Sequence, residues 1–243
     1  MSKINTLLFD CDNTLVLSEE LAFAACADII NTICKGQEVD KEFTGESLIS
    51  EFVGQNFRGM LGSLQERYGI KLTPEELEKY VLAEEDAVIA KIKAHGQPCP
   101  GVMEQLEKLQ EEGKYTLAVV SSSAKRRVLA SIEKVGQSKY FPEDLVFSAA
   151  TSLPTPTSKP NPAIYLHSLK VLGKTADEAL AIEDSKSGTS SGYNAGIKVL
   201  GYTGPYPAER KAEMAKVLTD AGAVLVIDDW SEFPEALAKI QAL

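Results

Sequence analysis

The stretch "LLFDCDNTLV", Leu7–Val16, sets Asp10 and Asp12 one residue apart at the end of a short apolar run. Two like charges so placed either sit in a solvated turn or share a cation. The apolar run itself reads as a buried parallel strand, and others follow it. They are "TLLF" at Thr6–Phe9, "TLAVV" at Thr116–Val120, "ALAI" at Ala179–Ile182, "KVLG" at Lys198–Gly201 and "VLVI" at Val224–Ile227. A weaker run, "LVFSA" at Leu145–Ala149, fits a further strand. Segments with helical spacing lie between most of them, which predicts an α/β fold with a doubly wound parallel sheet.

The first two strong strands are far apart, and the pattern between them is helical. Leu21, Ala22, Ala25, Cys26, Ile29, Ile30 and Ile33 form one apolar face. Ser18 is placed to cap that helix, with Glu19 and Glu20 in its first turn. "TPEE" at Thr73–Glu76 joins a cap residue, a proline at the first helical position and the glutamate of a capping box. The helix it starts is predicted to run toward Lys93. An insertion of roughly 80 residues is too long for a plain loop, so residues 18–95 are expected to form a small helical domain. The α/β domain then comprises 1–17 and 96–243. "GQPCPG", Gly96–Gly101, supplies hinge-like chemistry at the return. "SLPTPTSKPNP", Ser152–Pro162, reads as a rigid loop.

Composition narrows the partners. Of 243 residues, 44% are hydrophobic and 25% charged, with a formal net charge of −10. An acidic surface repels nucleic acid and anionic lipid, so neither is an expected partner, and no apolar stretch is long enough to span a bilayer. An anionic substrate needs a local positive site. The first strand-like run begins at Ile4, leaving no room for a signal peptide, and the expected location is cytoplasmic. Cys11, Cys26, Cys34 and Cys99 lack zinc-site spacing, and His95 and His167 are the two histidines. Reduced thiols are the expectation. No feature of the chain points to a protein partner.

Ligands of open α/β sheets bind beyond the carboxyl ends of the strands. Asp10 and Asp12 follow the first strand, Ser121, Ser122 and Ser123 the second, Lys159 lies in the loop beyond "LVFSA", and Glu183 and Asp184 follow "ALAI". Four carboxylates on one edge need a cation, and an all-oxygen set suits Mg²⁺. Lysine, hydroxyls and backbone N–H groups at strand-to-helix turns suit a phosphoryl group.

These residues resemble the haloacid dehalogenase superfamily of phosphotransferases. The Asp-x-Asp-x-Thr pattern stands as "DCDNT", the strand-end hydroxyl as Ser121, the lysine as Lys159 in "SKPNPAIY", and the acidic pair in "EDSKSG". Order and spacing match across nearly the whole chain. The resemblance implies that Asp10 attacks phosphorus and forms an aspartyl-phosphate, while Asp12 acts as general acid and then base. It implies that Thr14 buttresses the turn and that Ser121 and Lys159 hold the phosphoryl, Lys159 also pairing Asp10. Asp10, the Asp12 carbonyl, Glu183 and Asp184 would surround Mg²⁺, with Ser122 beside the substrate. Asn13 stands where relatives often carry glycine, and asparagine tolerates the left-handed backbone. Cys11 is expected to point away from the two acids. Lys125, Arg126 and Arg127 read as an exposed helix start, with substrate contact the lesser option. Ser187 and Gly188 read as loop-shaping and His167 as structural.

Within the superfamily, Asp12 argues for phosphate chemistry rather than dehalogenation. Phosphonate-cleaving relatives use a cap lysine, and nothing local singles out Lys35, Lys41 or Lys79. Mutases similar to β-phosphoglucomutase look to a histidine in the first cap helix, where this chain has Ala22. The resemblance is thus nearest to small-cap phosphatases of sugar, sugar-acid or polyol phosphates, with the mutase and a catalytically weak phospho-ligand binder as alternatives. In such relatives the cap closes over the site. Within "EFVGQNFRGML", Glu51–Leu61, the residues Gln55, Asn56 and Arg58 are candidates for reading the rest of the substrate, or else a solvated helix end.

Overall fold

The computed structural model describes residues 4–52 and 56–243. The chain starts with β1 (Thr6–Phe9) and the short β2 (Val16–Leu17). Four helices follow: α1 (Glu19–Gly36), α2 (Gly45–Glu51), α3 (Phe57–Tyr68) and α4 (Pro74–His95). After β3 (Gln97–Pro98) and α5 (Val102–Glu112), β4 (Thr116–Ser121) leads into α6 (Lys125–Lys134) and β5 (Val146–Ser148) into α7 (Ala163–Leu172). Then come β6 (Ala179–Glu183), α8 (Lys186–Asn194), β7 (Lys198–Tyr202), α9 (Ala208–Asp220), β8 (Ala223–Ile227) and α10 (Phe233–Ala242). The chain divides into two compact units, Met1–Leu17 with Gln97–Leu243, and Ser18–Gly96.

In the first unit, six strands among the described residues form one parallel sheet in the order β5-β4-β1-β6-β7-β8. The order reverses at β1, which makes its carboxyl end the switch point where such sheets bind ligands. All four residues of β1 are buried because both of its faces are covered. Leu7 and Phe9 join Leu117, Val119, Leu180 and Ile182 in a core closed by Val102 and Leu106 of α5, Val128 and Ile132 of α6, and Phe233 and Leu237 of α10. Leu8 joins Ala118, Val120 and Ala181 on the opposite face, against Ile164, Tyr165 and Leu169 of α7. Alternate residues thus serve opposite layers, as the pleat requires. Gly192 of α8 lets that helix lie on the second face, where an added Cβ would come within 2.9 Å of the Val199 side chain.

β4 and β6 each run one residue beyond the apolar stretch that predicts them, because Ser121 pairs with Ser148 and Glu183 with Gly201. Two site residues are therefore the last rungs of strands rather than loop residues. β2 and β3 pair antiparallel, with Val16 opposite Pro98 and Leu17 opposite Gln97, so both chain crossings into the insert are tied together.

The second unit is helical. Cys26, Ile30 and Ile33 of α1 pack with Leu48, Phe52, Met60, Leu61 and Leu64 in a core of its own. Thr73 and Glu76 form the capping box of α4, with Pro74 in its first turn. Gly96 ends α4 and donates its N–H to the Ile92 carbonyl at 2.7 Å, which places it with this unit. Ser18 corrects a sequence expectation. It holds the N-cap position of α1, but at φ −125° and ψ −17° its side chain makes no capping bond. That backbone is not the extended geometry that turns a hydroxyl onto the first-turn N–H groups.

Candidate active site

The ladder carries Asp10 to the switch point, its N–H donating to the Ile182 carbonyl at 3.0 Å. Asp10 follows β1, the strand between β4 and β6, and its side chain is 10% exposed. Lys159 reaches it from the loop before α7. The Lys159 Nζ lies 2.6 Å from Asp10 Oδ1, 2.6 Å from Glu183 Oε1 and 2.7 Å from the Val120 carbonyl oxygen. Three acceptors match the three protons of an ammonium group. Burial pushes the Asp10 carboxyl up to about 7; Lys159 pulls it down, while Glu183 and Asp12 push it further up. Burial disfavours the charge on Lys159, but Asp10 and Glu183 outweigh it and hold the ammonium above its usual range.

Asp10, Glu183 and Asp184 are all buried, and each offers an oxygen within 4.8 Å of the others. Glu183 has no exposed surface. Its Oε1 accepts from Lys159 and from the Tyr165 hydroxyl, while its Oε2 is buried with no hydrogen-bond partner. Three carboxylates against one ammonium, with one carboxylate oxygen left bare, form a donor set compatible with a hard divalent cation. Thr14, fully buried, reaches Asp184 Oδ1 at 3.5 Å and supports the turn. Asn13 takes the left-handed conformation at φ 58°.

Asp12 is held differently. Arg127 Nη2 lies 2.9 Å from its Oδ1, and the Ser123 hydroxyl donates to its Oδ2 at 2.7 Å. Ser121, at the end of β4, is buried, and its Oγ accepts the Ser123 N–H at 3.0 Å. The Ser122 Oγ accepts the Lys159 backbone N–H at 3.2 Å, tying the lysine loop to the serine turn. One buried edge thus holds a paired carboxylate, a second acid two residues on, an ammonium group and a bare carboxylate oxygen. That combination can anchor a cation and an anion side by side.

The family profile of haloacid dehalogenase-like hydrolases matches residues 7–202, which takes in all of these positions. The chain belongs to that family. This hydrolase is 29% identical, over 92% of its own length and 94% of the relative's, to the "phosphorylated carbohydrates phosphatase" of Thermotoga maritima. It is 25% identical to the "6-phosphogluconate phosphatase" of Escherichia coli, covering 82% of this chain and 83% of that one. Among solved structures it is similar to a conserved haloacid dehalogenase-like protein from Agrobacterium tumefaciens, with a TM-score of 0.75, 27% identity and coverage of 98% and 99%.

The hydrolase brings Asp10, Asp12, Thr14, Ser121, Ser122, Lys159, Glu183 and Asp184 to one sheet edge. Of the specificity candidates, Asn56 and Arg58 belong to the helical unit and are engaged within it. The Asn56 side-chain oxygen caps α3 through the Gly59 N–H, and Arg58 makes a two-pronged ion pair with Glu78. Gln55 lies outside the described residues. Two residues that sequence reasoning undervalued are central to the geometry. Arg127, read as an exposed helix start, is a partner of Asp12, and Tyr165, to which the sequence reading gave no role, is a partner of Glu183. Tyr165 lies inside the "SKPNPAIY" stretch, whose lysine alone had been given a role. Cys11 is fully buried beside the acids, and burial, then Asp12 and Asp10, push its thiol well above the ordinary range, which leaves it inert. Among the described residues no helix is long and apolar enough to cross a membrane.

Proposed function

We propose that this hydrolase is a Mg²⁺-dependent phosphatase of a small phosphorylated metabolite, a sugar, sugar-acid or polyol phosphate, working through an aspartyl-phosphate on Asp10. The observation that carries this reading is Asp10 itself: a buried carboxylate at the switch point, oriented by Lys159, with a second acid held two residues away. A carboxylate used only to bind a cation needs no such companion.

In the proposed first step a free oxygen of Asp10 attacks phosphorus as the bond to the leaving oxygen breaks, and Asp12 gives that oxygen a proton. In the second, Asp12 takes a proton from water, the water oxygen attacks phosphorus, and the bond to Asp10 breaks to release inorganic phosphate. Lys159 and the Ser121 hydroxyl are the groups proposed to hold the phosphoryl oxygens. Lys159 has all three protons engaged here, so phosphoryl binding exchanges one of its present acceptors for substrate oxygen. Asp10, the Asp12 carbonyl, Glu183 and Asp184 would hold Mg²⁺, which supplies charge neutralisation when bound. Arg127 and Ser123 present donors to Asp12, an arrangement that suits the carboxylate as proton acceptor in the second step.

Water as final acceptor is supported by position 22 of α1, an alanine where the mutase alternative needs histidine. The two phosphatase relatives support the substrate class. The test is phosphate release from an aryl phosphate with and without Mg²⁺, followed by a panel of phosphorylated sugars, sugar acids and polyols. Release by wild type and its loss in Asp10→Asn are expected. Failure of wild type, or unchanged release by Asp10→Asn, overturns the reading. Conversion of a hexose 1-phosphate to its 6-phosphate, with no free phosphate, would select the mutase instead.

A further inference from the structure

We infer that Tyr165 is a positioning residue for the cation site, its hydroxyl fixing one oxygen of Glu183 so that the other is kept for the metal. The inference rests on the Mg²⁺ reading above and adds a residue to it.

The two oxygens of Glu183 are treated unequally. Tyr165 donates to Oε1 at 2.5 Å and Lys159 stands 2.6 Å from the same atom, whereas Oε2 has no hydrogen-bond partner. No water can repair that imbalance from bulk, because Glu183 has no exposed surface. A buried carboxylate oxygen without a donor is costly unless a ligand completes it. Both donors to Oε1 come from the single "SKPNPAIY" segment, so the loop that delivers Lys159 leads directly into the helix turn that delivers the hydroxyl to Glu183. Tyr165 is itself fixed: it is fully buried on the second face of the sheet, and the Lys159 ammonium lies 5.3 Å from the centre of its ring.

Gly188, in the first turn of α8, completes the seat. A Cβ there would fall 1.8 Å from Glu183 Oε2 and 2.3 Å from Cδ, so the carboxylate occupies space that any other residue would fill. Between the tyrosine hydroxyl and the bare glycine the carboxylate is held in one rotation. A carboxylate held this way loses little freedom on taking up a cation, which is what outer-shell donors contribute to metal affinity.

Tyr165→Phe tests this with little packing change, since the ring over Lys159 stays and one hydroxyl goes. Mg²⁺ alone is titrated calorimetrically into the metal-free full-length chain, with no substrate present. The dissociation constant is expected to rise about 10–100-fold. The Mg²⁺ concentration for half-maximal phosphate release should rise with it, while kcat at saturating Mg²⁺ falls by less. In a Glu183→Gln background, Tyr165→Phe should cost less than about threefold, because the group it acts through has lost its charge. Unchanged Mg²⁺ affinity in Tyr165→Phe, or an equal loss in both backgrounds, overturns the inference and leaves the metal reading standing. If wild type takes up no Mg²⁺, both fall. A Tyr165→Phe chain that melts lower yet binds Mg²⁺ normally is also a refutation, since it shows a purely structural role.

Discussion

Asp10 carries a conflict that its neighbours only partly resolve. Its carboxyl, ordinarily at 3.8, is pushed up to about 7, chiefly by burial, with Glu183 and Asp12 adding repulsion and Lys159 opposing both. A carboxyl raised in the fold contributes its full stability below its unfolded value, and loses it as pH climbs through the folded value. The metal-free protein is therefore expected to forfeit stability between about pH 4 and pH 7 on account of this residue. Asparagine at position 10 carries no charge at any pH and escapes that loss. Metal-free Asp10→Asn should melt higher than wild type at pH 8 by at least about 2 °C, and the gap should narrow steadily as pH falls, closing at about pH 4. Mg²⁺ should close the gap by stabilising wild type more. Calorimetric melting of both chains with a chelator and with Mg²⁺ checks this. A lower melting point for Asp10→Asn at pH 8 would mean that the Lys159 pair outweighs the burial of the charge. Such a trade is common where a reactive group is kept in a dry, crowded place.

At the scale of elements, α6 shows how a helix start becomes part of a site. Its apolar spacing buries Val128 and Ile132 against the sheet, and that rotation brings Arg127, one residue before Val128, to Asp12. Arg127→Leu should leave the sheet edge intact but remove the guanidinium that anchors Asp12. Water activation should then slow more than attack by Asp10, so phosphate release should fall about tenfold or more and the aspartyl-phosphate should accumulate. Stopped-flow release of the aryl leaving group should show a burst absent from wild type; unchanged turnover with no burst would remove Arg127 from the second step. The strands were legible because residues buried on both faces leave uninterrupted apolar runs, and the strand-end acids were legible because charges after such runs are rare. Arg127 was not, because a basic residue at a helix start reads as solvated until the rotation of that helix is known. Tyr165 was hidden for the converse reason: its ring satisfies the apolar pattern of α7, and nothing in that pattern shows that its hydroxyl meets Glu183 at the end of β6. Asn56 and Arg58 read either as recognition groups or as a solvated helix end, and the contacts they make are local: Asn56 caps α3 and Arg58 pairs with Glu78.

The whole molecule adds a field that no single contact reveals. With 35 acidic and 25 basic residues the chain is strongly negative, whereas the substrate proposed for it is an anion. Long-range repulsion lowers the encounter rate at low salt, and at physiological ionic strength it is screened beyond about 8 Å. Inside that distance Lys159 and the cation would dominate, because buried charges are screened little. The basic start of α6, Lys125 and Arg126, offers a second local attraction at the same sheet edge. If the global field controls approach, kcat/KM for a dianionic phosphomonoester should rise as monovalent salt goes from about 10 to 150 mM at saturating Mg²⁺, while kcat stays level. If the local cationic cluster controls it, kcat/KM should fall over the same range, and Lys125→Gln with Arg126→Gln should reverse the slope. A cation site fed by three carboxylates gains from the same negative field that burdens the substrate. The net charge thus favours loading the metal before the phosphate, and Mg²⁺ affinity should weaken as salt is added, opposite to substrate capture under control by the global field.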